Sequence, residues 1–439
     1  MNLFDFTLTL NGFPLKRAKK RLSDIQNRSD SEFDTYVEQK KQEILDFHLN
    51  HNTFYRGFCS GKKIQCWEDV PILKKSDFQI PLEERLSEGF SKTDVYINKT
   101  SGSSGDPFIF AKDKFSHALT WAVIQDRFGW YGLNFNKSLQ ARFYGIPLDK
   151  KGHVKERVKD ALSHRLRFSV FDLGDEAFEK VLKKFGRTEF DYINGYTSAV
   201  VQFAKFLAKK QIVLTDVCGT LKACVVTSEM LFDSDKILMQ RQFGVPIINE
   251  YGASELDLIA FENPDGQWQI NNETLFVEVV DSDNRVLPNG KEGRIVITSL
   301  FNRAHPFIRY DIGDIGKLSE KSTFKKPLLE SLTGRTNDLI YLPSGKIAAG
   351  LTFYYVTKSI IENDGNVKEF VITQSKKGKF EIDYVSETEL SEEKKGFIIK
   401  EIHTYLEKGL HIDFNRKDII PRSEGGKLKQ FKSLIKTNG

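Results

Sequence analysis

Short apolar runs alternate with helical segments through the middle of the chain, and this alternation limits the possible folds most strongly. The apolar runs are Leu139–Phe143, Tyr192–Ile193, Leu221–Val226 and Val245–Ile248, and the helical segments are Lys114–Phe128, Asp175–Phe185 and Ser198–Lys210. Buried strands separated by helices are typical of parallel sheets. We therefore expect an α/β fold whose large N-terminal domain contains helix-covered, mostly parallel sheets.

The regions on either side have different patterns. Residues 1–94 are polar with the spacing of amphipathic helices, whereas the chain becomes β-rich after about Asn271. The strands predicted there are Leu275–Val280, Arg294–Ser299 and Asp338–Leu342, and the last part of the chain predicts a helix over Thr352–Asn363, strands over Glu369–Thr373 and Lys379–Val385, and a helix over Ser391–Glu407. We expect a β-rich subdomain, then a small α+β C-terminal domain joined by a hinge, which divides the chain into 1–336 and 337–439.

Composition excludes several classes of protein. The net charge of +5, from 65 basic and 60 acidic residues spread along 439 positions, is too small to indicate a nucleic-acid partner. The sequence has neither a secretory signal pattern nor an apolar stretch of about 18 residues, which predicts a cytoplasmic protein without a membrane span. The cysteines are Cys59, Cys66, Cys218 and Cys224. They lack the spacing of a zinc or redox motif, so we expect structural thiols.

A segment rich in hydroxyls and glycines follows the predicted strand Val95–Asn98. It comprises Thr100, Ser101, Gly102, Ser103, Ser104 and Gly105. Such a loop can turn backbone N–H groups and hydroxyls into one anion-binding concavity. The segment is not a P-loop, because no lysine follows its last glycine. The alternative is a plain surface loop, since this composition is common in loops.

A second motif follows the apolar run Val245–Ile248. Its candidate residues are Asn249, Tyr251, Gly252, Ala253, Ser254 and Glu255. A glycine beside an aromatic ring at a strand end lets the backbone approach a flat ligand, and a carboxylate nearby can hold Mg²⁺ against phosphate oxygens. The alternative is a strand-to-helix turn in which Glu255 only favours the helix.

Three further segments complete the set. Asp314 lies in Arg309–Gly316, where a carboxylate on a tight turn can accept both hydroxyls of a ribose, or can simply be solvated in a hairpin. Arg335 lies in Thr333–Asp338, before an apolar strand. Lys427 follows two glycines near the end of the chain, where its exposed ammonium can contact a developing negative charge or belong to a solvated tail.

In this order the five segments resemble the adenylate-forming superfamily, which includes acyl-CoA synthetases, peptide-synthetase adenylation domains and beetle luciferases. The chain is most similar to the phenylacetate–CoA ligase-like branch, which includes CapK-type proteins of capsular polysaccharide biosynthesis. Asn11–Leu15 and Asn52–Arg56 also resemble that branch. The resemblance extends over nearly the whole chain, and the order of the motifs is more specific than any one of them.

The resemblance implies a role for each segment. Thr100–Gly105 would hold the β- and γ-phosphates of ATP, Tyr251 and Gly252 would contact adenine, Glu255 would hold Mg²⁺, Asp314 would bind the ribose, Arg335 would lie beside the hinge at Asn337-Asp338, and Lys427 would reach the α-phosphate. Relatives usually carry Asp or Lys where this chain has Asn337. Some relatives bind zinc through cysteines that Leu256–Gly266 lacks, so we expect no such metal. The acyl pocket varies in the family, and its candidates are Asn194, Gly195, Tyr196, Thr227 and Ser228.

The expected activity is ATP-dependent adenylation of a small-molecule carboxylic acid, followed by acyl transfer to the thiol of coenzyme A. An amide-forming ligase with an amine acceptor and a non-catalytic nucleotide-binding protein are the alternatives. The basic segment Lys150–Arg167 could contact a phosphate-bearing acceptor or form a solvated amphipathic helix. The sequence leaves a homodimer open.

Overall fold

The computed structural model describes residues 3–99, 108–145, 150–333, 339–349, 352–353, 367–420 and 431–435. Two compact units are formed. The first comprises Met1–Thr100, Phe108–Trp130 and Glu250–Gly334, and the second comprises Ser101–Pro107, Tyr131–Asn249 and Arg335–Gly439. Across the described residues, no helix is both long and apolar enough to cross a membrane.

Helices are concentrated in the first half of the chain. The α-helices are α1 (Leu3–Leu10), α2 (Leu15–Gln26), α3 (Asp30–His51), α4 (Thr53–Cys59), α5 (Leu82–Arg85), α6 (Lys114–Gly129), α7 (Lys150–Leu162), α8 (Asp175–Phe185), α9 (Thr197–Lys210), α10 (Leu214–Val217), α11 (Asp233–Phe243) and α12 (Glu392–Tyr405). Short 3₁₀ helices lie at Trp67–Asp69 and Lys75–Phe78.

Strands extend from the end of the N-terminal helices to the C-terminus. They are β1 (Val95–Lys99), β2 (Ile109–Asp113), β3 (Gln140–Phe143), β4 (Arg165–Phe168), β5 (Tyr192–Tyr196), β6 (Ala223–Thr227), β7 (Ile247–Ala253), β8 (Asp257–Glu262), β9 (Trp268–Ile270), β10 (Leu275–Val280), β11 (Glu292–Ser299), β12 (Tyr310–Leu318), β13 (Leu329–Thr333), β14 (Leu339–Tyr341), β15 (Ile347–Ala349), β16 (Val367–Lys376), β17 (Lys379–Ser386), β18 (His411–Arg416) and β19 (Phe431–Ser433).

The first unit combines N-terminal helices with antiparallel sheets. Helix α2 buries Leu15, Ala18, Leu22 and Ile25, which share one face at helical spacing. At the start of α3, the Ser29 hydroxyl accepts from the Glu32 N–H while the Glu32 carboxylate accepts from the Ser29 N–H, which is a capping box. Strands β10–β13 form an antiparallel sheet in sequence order. Strands β1 and β2 also pair antiparallel and flank the segment 100–107, which lies outside the described residues.

The second unit contains the predicted parallel sheet, in the order β4-β3-β5-β6. Phe143, Ile193 and Val226 lie in its hydrophobic core together with residues of α8 and α9. Gly195 is required by this packing, because a Cβ atom there would lie 2.6 Å from the Cβ of Phe143. Strands β5 and β6 are buried at every position, which is why the sequence shows them as apolar runs.

The C-terminal part of the second unit is α+β. Strands β16 and β17 form the predicted antiparallel hairpin, and β18 and β19 add parallel partners on its two sides in the order β18-β17-β16-β19. The Tyr405 ring of α12 contacts the Phe171 ring at 5.1 Å between centroids. Most of the helix predicted over Thr352–Asn363 lies outside the described residues. The α/β class is confirmed, and the division at 336/337 stays a prediction.

Candidate active site

The motif around Tyr251 lies on a β-hairpin of the first unit. Strand β7 continues to Ala253, the chain turns through Ser254 and Glu255, and β8 begins at Asp257. Tyr251 is opposite Ala260, and the register shifts between Tyr251 and Gly252. The helix that the alternative interpretation placed after this motif does not form, because the chain returns antiparallel to β7 instead.

The hairpin itself requires Gly252. A Cβ atom at this position would lie 2.7 Å from the backbone oxygen of Asp257, closer than a side chain tolerates. Asp257 has a positive φ of 59°, a conformation that is uncommon for residues with a side chain. The glycine therefore has a structural cause in the close contact between the two strands, in addition to the ligand contact expected from the sequence.

A buried hydrogen bond joins the hairpin to the predicted ribose-binding aspartate. The Tyr251 hydroxyl donates to Oδ2 of Asp314 at 2.7 Å, and Asp314 is only 1% exposed on β12. Its neighbour Asp311 is engaged differently, accepting from Arg294 Nη1 at 2.6 Å and from the Gly313 N–H at 2.8 Å. Of the two carboxylates on this strand, Asp314 is therefore the better candidate for the ribose hydroxyls.

Glu255 is connected to the same strand by a second hydrogen bond. The Tyr310 hydroxyl donates to its Oε1 at 2.9 Å, and the residue is 3% exposed. Within the described residues, no donor contacts the other carboxylate oxygen. A hard oxygen ligand left in this way fits Mg²⁺, which takes few protein ligands and completes its shell with water and phosphate oxygens. The described residues contain no cluster of three His, Cys, Asp or Glu side chains that could hold a metal ion.

Beside Glu255 lies a buried ion pair that the sequence did not indicate. Lys112 is 3% exposed and pairs with the Asp257 carboxylate, which also accepts from the Thr120 hydroxyl at 2.9 Å. These residues and Glu255 line a cavity of about 20 Å³, large enough for one water molecule. The ion pair fixes the end of the turn that carries Glu255.

The acyl-pocket candidates lie at the carboxyl ends of β5 and β6, in the second unit. Asn194, Tyr196 and Thr227 are buried, and the Asn194 amide donates to the Val225 oxygen at 3.2 Å. Ligands of parallel α/β sheets bind at this end of the strands. Tyr144, at the end of β3, adds an aromatic ring 4.4 Å from that of Tyr196.

Three further residues change what the sequence led us to expect of this pocket. The Arg142 guanidinium lies 4.0 Å from the centre of the Tyr144 ring, a contact that the sequence did not suggest. Ser228 has a positive φ of 71°, so the chain turns sharply after β6. A side chain at Gly195 would collide with Phe143 in the core, so this glycine has a packing role.

The basic segment after Lys150 does not form one helix. Helix α7 ends at Leu162, and Arg165 and Arg167 lie on β4. Both guanidinium groups pair with Asp160, at 2.5 Å and 2.9 Å. Because their charges are neutralised internally, these two arginines are poor candidates for an acceptor phosphate. Cys59, Cys218 and Cys224 are buried as expected for structural thiols, whereas Cys66 is exposed.

Several predicted site residues lie outside the described residues: Thr100, Ser101, Gly102, Ser103, Ser104, Gly105, Arg335, Asn337, Asp338 and Lys427. Asn249 lies on β7 in the second unit, and Ala253 and Ser254 belong to the hairpin of the first. The structure therefore brings together Tyr251, Glu255 and Asp314 among the predicted residues.

No family model matches the chain. Protein CapK of Staphylococcus aureus is 23% identical over 359 residues, which are 80% of this chain and 76% of CapK. A phenylacetate–coenzyme A ligase of Pseudomonas putida is 24% identical over 300 residues, 64% of each chain. One from Aromatoleum evansii is 25% identical over 131 residues, 28% of this chain and 29% of the ligase.

Similarity to solved structures shows the fold of the chain. Crystal structures of 2-hydroxyisobutyryl-CoA ligase in complex with 2-HIB-AMP and CoA match at 15% identity. The open conformation has a TM-score of 0.54 and covers 92% of both chains. The thioesterification state has a TM-score of 0.55 and covers 92% of this chain and 90% of the ligase. The chain therefore has the fold of this CoA ligase, and its sequence is similar to CapK and to phenylacetate–coenzyme A ligases. The chain spans 64% of the length of the Pseudomonas ligase and 29% of that of the Aromatoleum ligase.

Proposed function

We propose that the protein is an AMP-forming ligase of the phenylacetate–CoA ligase-like branch of the adenylate-forming superfamily. It activates a carboxylic acid as an acyl adenylate, releases pyrophosphate and transfers the acyl group to the thiol of coenzyme A. The observation that carries the proposal is the 2.7 Å hydrogen bond between Tyr251 and Asp314, which links the candidate adenine and ribose contacts within one compact unit. The similarity to phenylacetate–coenzyme A ligases supports the acceptor.

Chemistry explains why such an enzyme needs these residues. A carboxylate is a poor electrophile, and oxide is not a usable leaving group. Attack of a carboxylate oxygen on the α-phosphorus of ATP forms the mixed anhydride, breaks the bond to the bridging oxygen and leaves pyrophosphate. Phosphoryl transfer of this kind depends on positioning and on neutralising charge.

Positioning is the role that we assign to Tyr251 and Asp314. The Asp314 carboxylate would accept the two ribose hydroxyls, while the Tyr251 hydroxyl holds the carboxylate in one orientation. Because both side chains are buried, little freedom is lost when the nucleotide binds.

Charge neutralisation is assigned to Glu255 and Lys427. Tyr310 orients the Glu255 carboxylate, which would hold Mg²⁺ through its other oxygen. When bound, Mg²⁺ neutralises phosphate charge and acts as a Lewis acid. Lys427 would bring its ammonium to the α-phosphate, and rotation of the C-terminal domain about Asn337-Asp338 would then admit the acceptor.

Mass spectrometry of the reaction products tests this proposal. The protein is incubated with ATP, Mg²⁺ and a panel of aryl, fatty, amino and uronic acids, with coenzyme A, with amines or with neither. We expect AMP and an acyl-CoA thioester with at least one acid, and neither product with Asp314→Ala. Formation of an amide in place of the thioester would show that the acceptor is an amine and not coenzyme A. Formation of ADP, or of no product from any acid, would contradict an AMP-forming ligase activity.

A further inference from the structure

The first unit contains a second concave site, formed by its N-terminal helices. A cleft of about 700 Å³ lies between α2, α3, the start of α6 and the loop after β11. Six cationic side chains line it: Arg17, Lys20, Arg21, Lys40, Lys114 and Arg303. We name it the basic cleft. Tyr251, Glu255 and Asp314 are not among its lining residues.

Most of these cations are not neutralised by the carboxylates around them. Lys40 pairs with Glu43. Considering the described residues, no carboxylate lies within ion-pair distance of Arg17, Lys20, Arg21, Lys114 or Arg303. Lys19, which lies outside the cleft on the same helix, pairs with Asp5 at 2.6 Å.

The acidic residues in the cleft have other partners. The Asp113 carboxylate accepts from the backbone N–H groups of Phe115 at 3.0 Å and Ser116 at 2.9 Å, where it caps α6. It also accepts from the Arg303 N–H at 3.0 Å. Asp94 accepts from the Ser91 N–H at 3.2 Å, which leaves Asp24 as the carboxylate most able to oppose the positive charge.

Aromatic rings hold several of the cations in place. The Arg17 guanidinium lies 4.8 Å from the centre of the Phe115 ring, and Arg21 and Lys40 lie 5.9 Å and 5.3 Å from that of Phe301. Stacking of this kind restricts a long side chain while leaving its N–H donors available. Both rings also line the cleft, so apolar surface lies directly beside the donors.

We propose that the basic cleft binds a small organic diphosphate of nucleotide size. Guanidinium groups match the oxygens of phosphoryl groups in pairs, and the cations from α2 face Lys114 and Arg303 across one cleft. Its volume is within the range of small-molecule sites and exceeds the needs of an inorganic ion. The phenyl rings would contact the flat or apolar part of the ligand. Phe301 also lines the small cavity beside Glu255, whereas Tyr251, Glu255 and Asp314 do not line the basic cleft.

Isothermal titration calorimetry with GDP as the probe tests the assignment in the full-length protein. We expect GDP to bind at least about tenfold more tightly than inorganic pyrophosphate, and to bind more weakly as salt concentration rises. In Arg17→Ala/Arg21→Ala, affinity for GDP should fall at least about tenfold. Lys20→Glu should also lower the affinity for GDP. Because Lys20 lines the cleft but is exposed to solvent, this change should leave the fold intact.

Two controls keep the result specific. Lys16→Ala/Lys19→Ala removes the same number of charges from the same helix outside the cleft, and should bind GDP within about twofold of the wild type. Asp314→Ala should also keep GDP binding, which separates this site from the proposed ATP site. Absence of binding to the wild type, equal binding by the Arg17/Arg21 variant, or loss of binding only in Asp314→Ala would each overturn the proposal.

Discussion

The hydroxyl of Tyr251 donates a 2.7 Å hydrogen bond to the buried carboxylate of Asp314, 63 residues later in the chain. Two motifs that are separate in sequence thus form one structural element of the first unit.

Tyr251→Phe should weaken ATP binding. A hydrogen bond to a charged group is worth roughly 1.5–3 kcal/mol, so we expect the KM for ATP in pyrophosphate exchange to rise at least about tenfold with a smaller change in kcat. The ring and its packing against Trp268 are retained. Tyr36→Phe is the control, because it removes a buried 2.7 Å hydrogen bond to the Glu273 oxygen and should lower stability without changing KM.

Glu255→Gln should abolish most exchange activity. The amide oxygen can still accept from Tyr310, so the local fold is expected to survive while the negative charge is lost. Loss of one electrostatic contact of this kind lowers the rate about a hundredfold. Glu262→Gln, a change at another buried glutamate on β8, should leave the rate within a few fold. Full recovery of the variant at high Mg²⁺ concentration with wild-type kcat would argue against this assignment.

The Lys112–Asp257 ion pair should matter for stability. Removing one partner of a buried pair leaves an uncompensated charge, and because Asp257 is partly exposed we expect Lys112→Met to cost about 3 kcal/mol. Lys112→Met/Asp257→Asn should recover part of this loss. Urea denaturation of the single and double variants gives the coupling free energy between Lys112 and Asp257. Strictly additive losses in the free energy of unfolding would show that the two side chains do not interact.

Buried neutral histidines predict acid sensitivity. Burial lowers the pKa of His48 from 6.5 to about 4, and its ring donates to the Asn302 oxygen and accepts from the Ser87 hydroxyl. Burial also lowers the pKa of His305, whose Nε2 accepts from Arg85 at 2.6 Å. The unfolded chain binds these protons first, so stability is complete above pH 6.5 and decreases as pH falls toward 4.

The size of this effect can be measured by urea denaturation between pH 7.5 and 4.5. His48 alone should account for about 3 kcal/mol over the full range. In His48→Gln the dependence on pH should become shallower, while in His411→Gln, a change at an exposed histidine, it should match the wild type. An unchanged slope in His48→Gln would show that this histidine is not buried in its neutral form.

Lys427→Ala tests the C-terminal lysine. We expect the rate of adenylation, measured by pyrophosphate exchange, to fall at least about a hundredfold, because the ammonium would no longer neutralise charge at the α-phosphate. Lys429→Ala is the matched control, two residues away on the same segment. Exchange at the wild-type rate in Lys427→Ala would remove this residue from the mechanism.

Local pattern was sufficient to predict much of the fold. The apolar runs that became β5 and β6, the helix α9 and the hairpin of β16 and β17 were predicted because periodicity and turn residues determine such elements locally. Apolar periodicity alone also indicated which face of α3 is buried. It did not indicate that His48 lies on that face, since a histidine carries no clear burial signal.

Contacts within the site were harder to predict. The order of the motifs made Tyr251, Glu255 and Asp314 candidates through a family resemblance. It did not predict the hydrogen bond from Tyr251 to Asp314 or the one from Tyr310 to Glu255. The role of Lys112 could not be predicted, because its partner Asp257 lies 145 residues away in the sequence. Arg165 and Arg167 were assigned to the wrong type of element, since charged residues on a short strand resemble the end of a basic helix.

Exchange of labelled pyrophosphate into ATP that depends on an added carboxylic acid tests the proposed function most directly. The assay detects reversal of the first step and requires no knowledge of the acceptor. We expect exchange with at least one acid of the panel, none without an acid, and a large loss in Asp314→Ala. Absence of exchange with every acid, or exchange that persists without any acid, would contradict adenylation of a carboxylate by this protein.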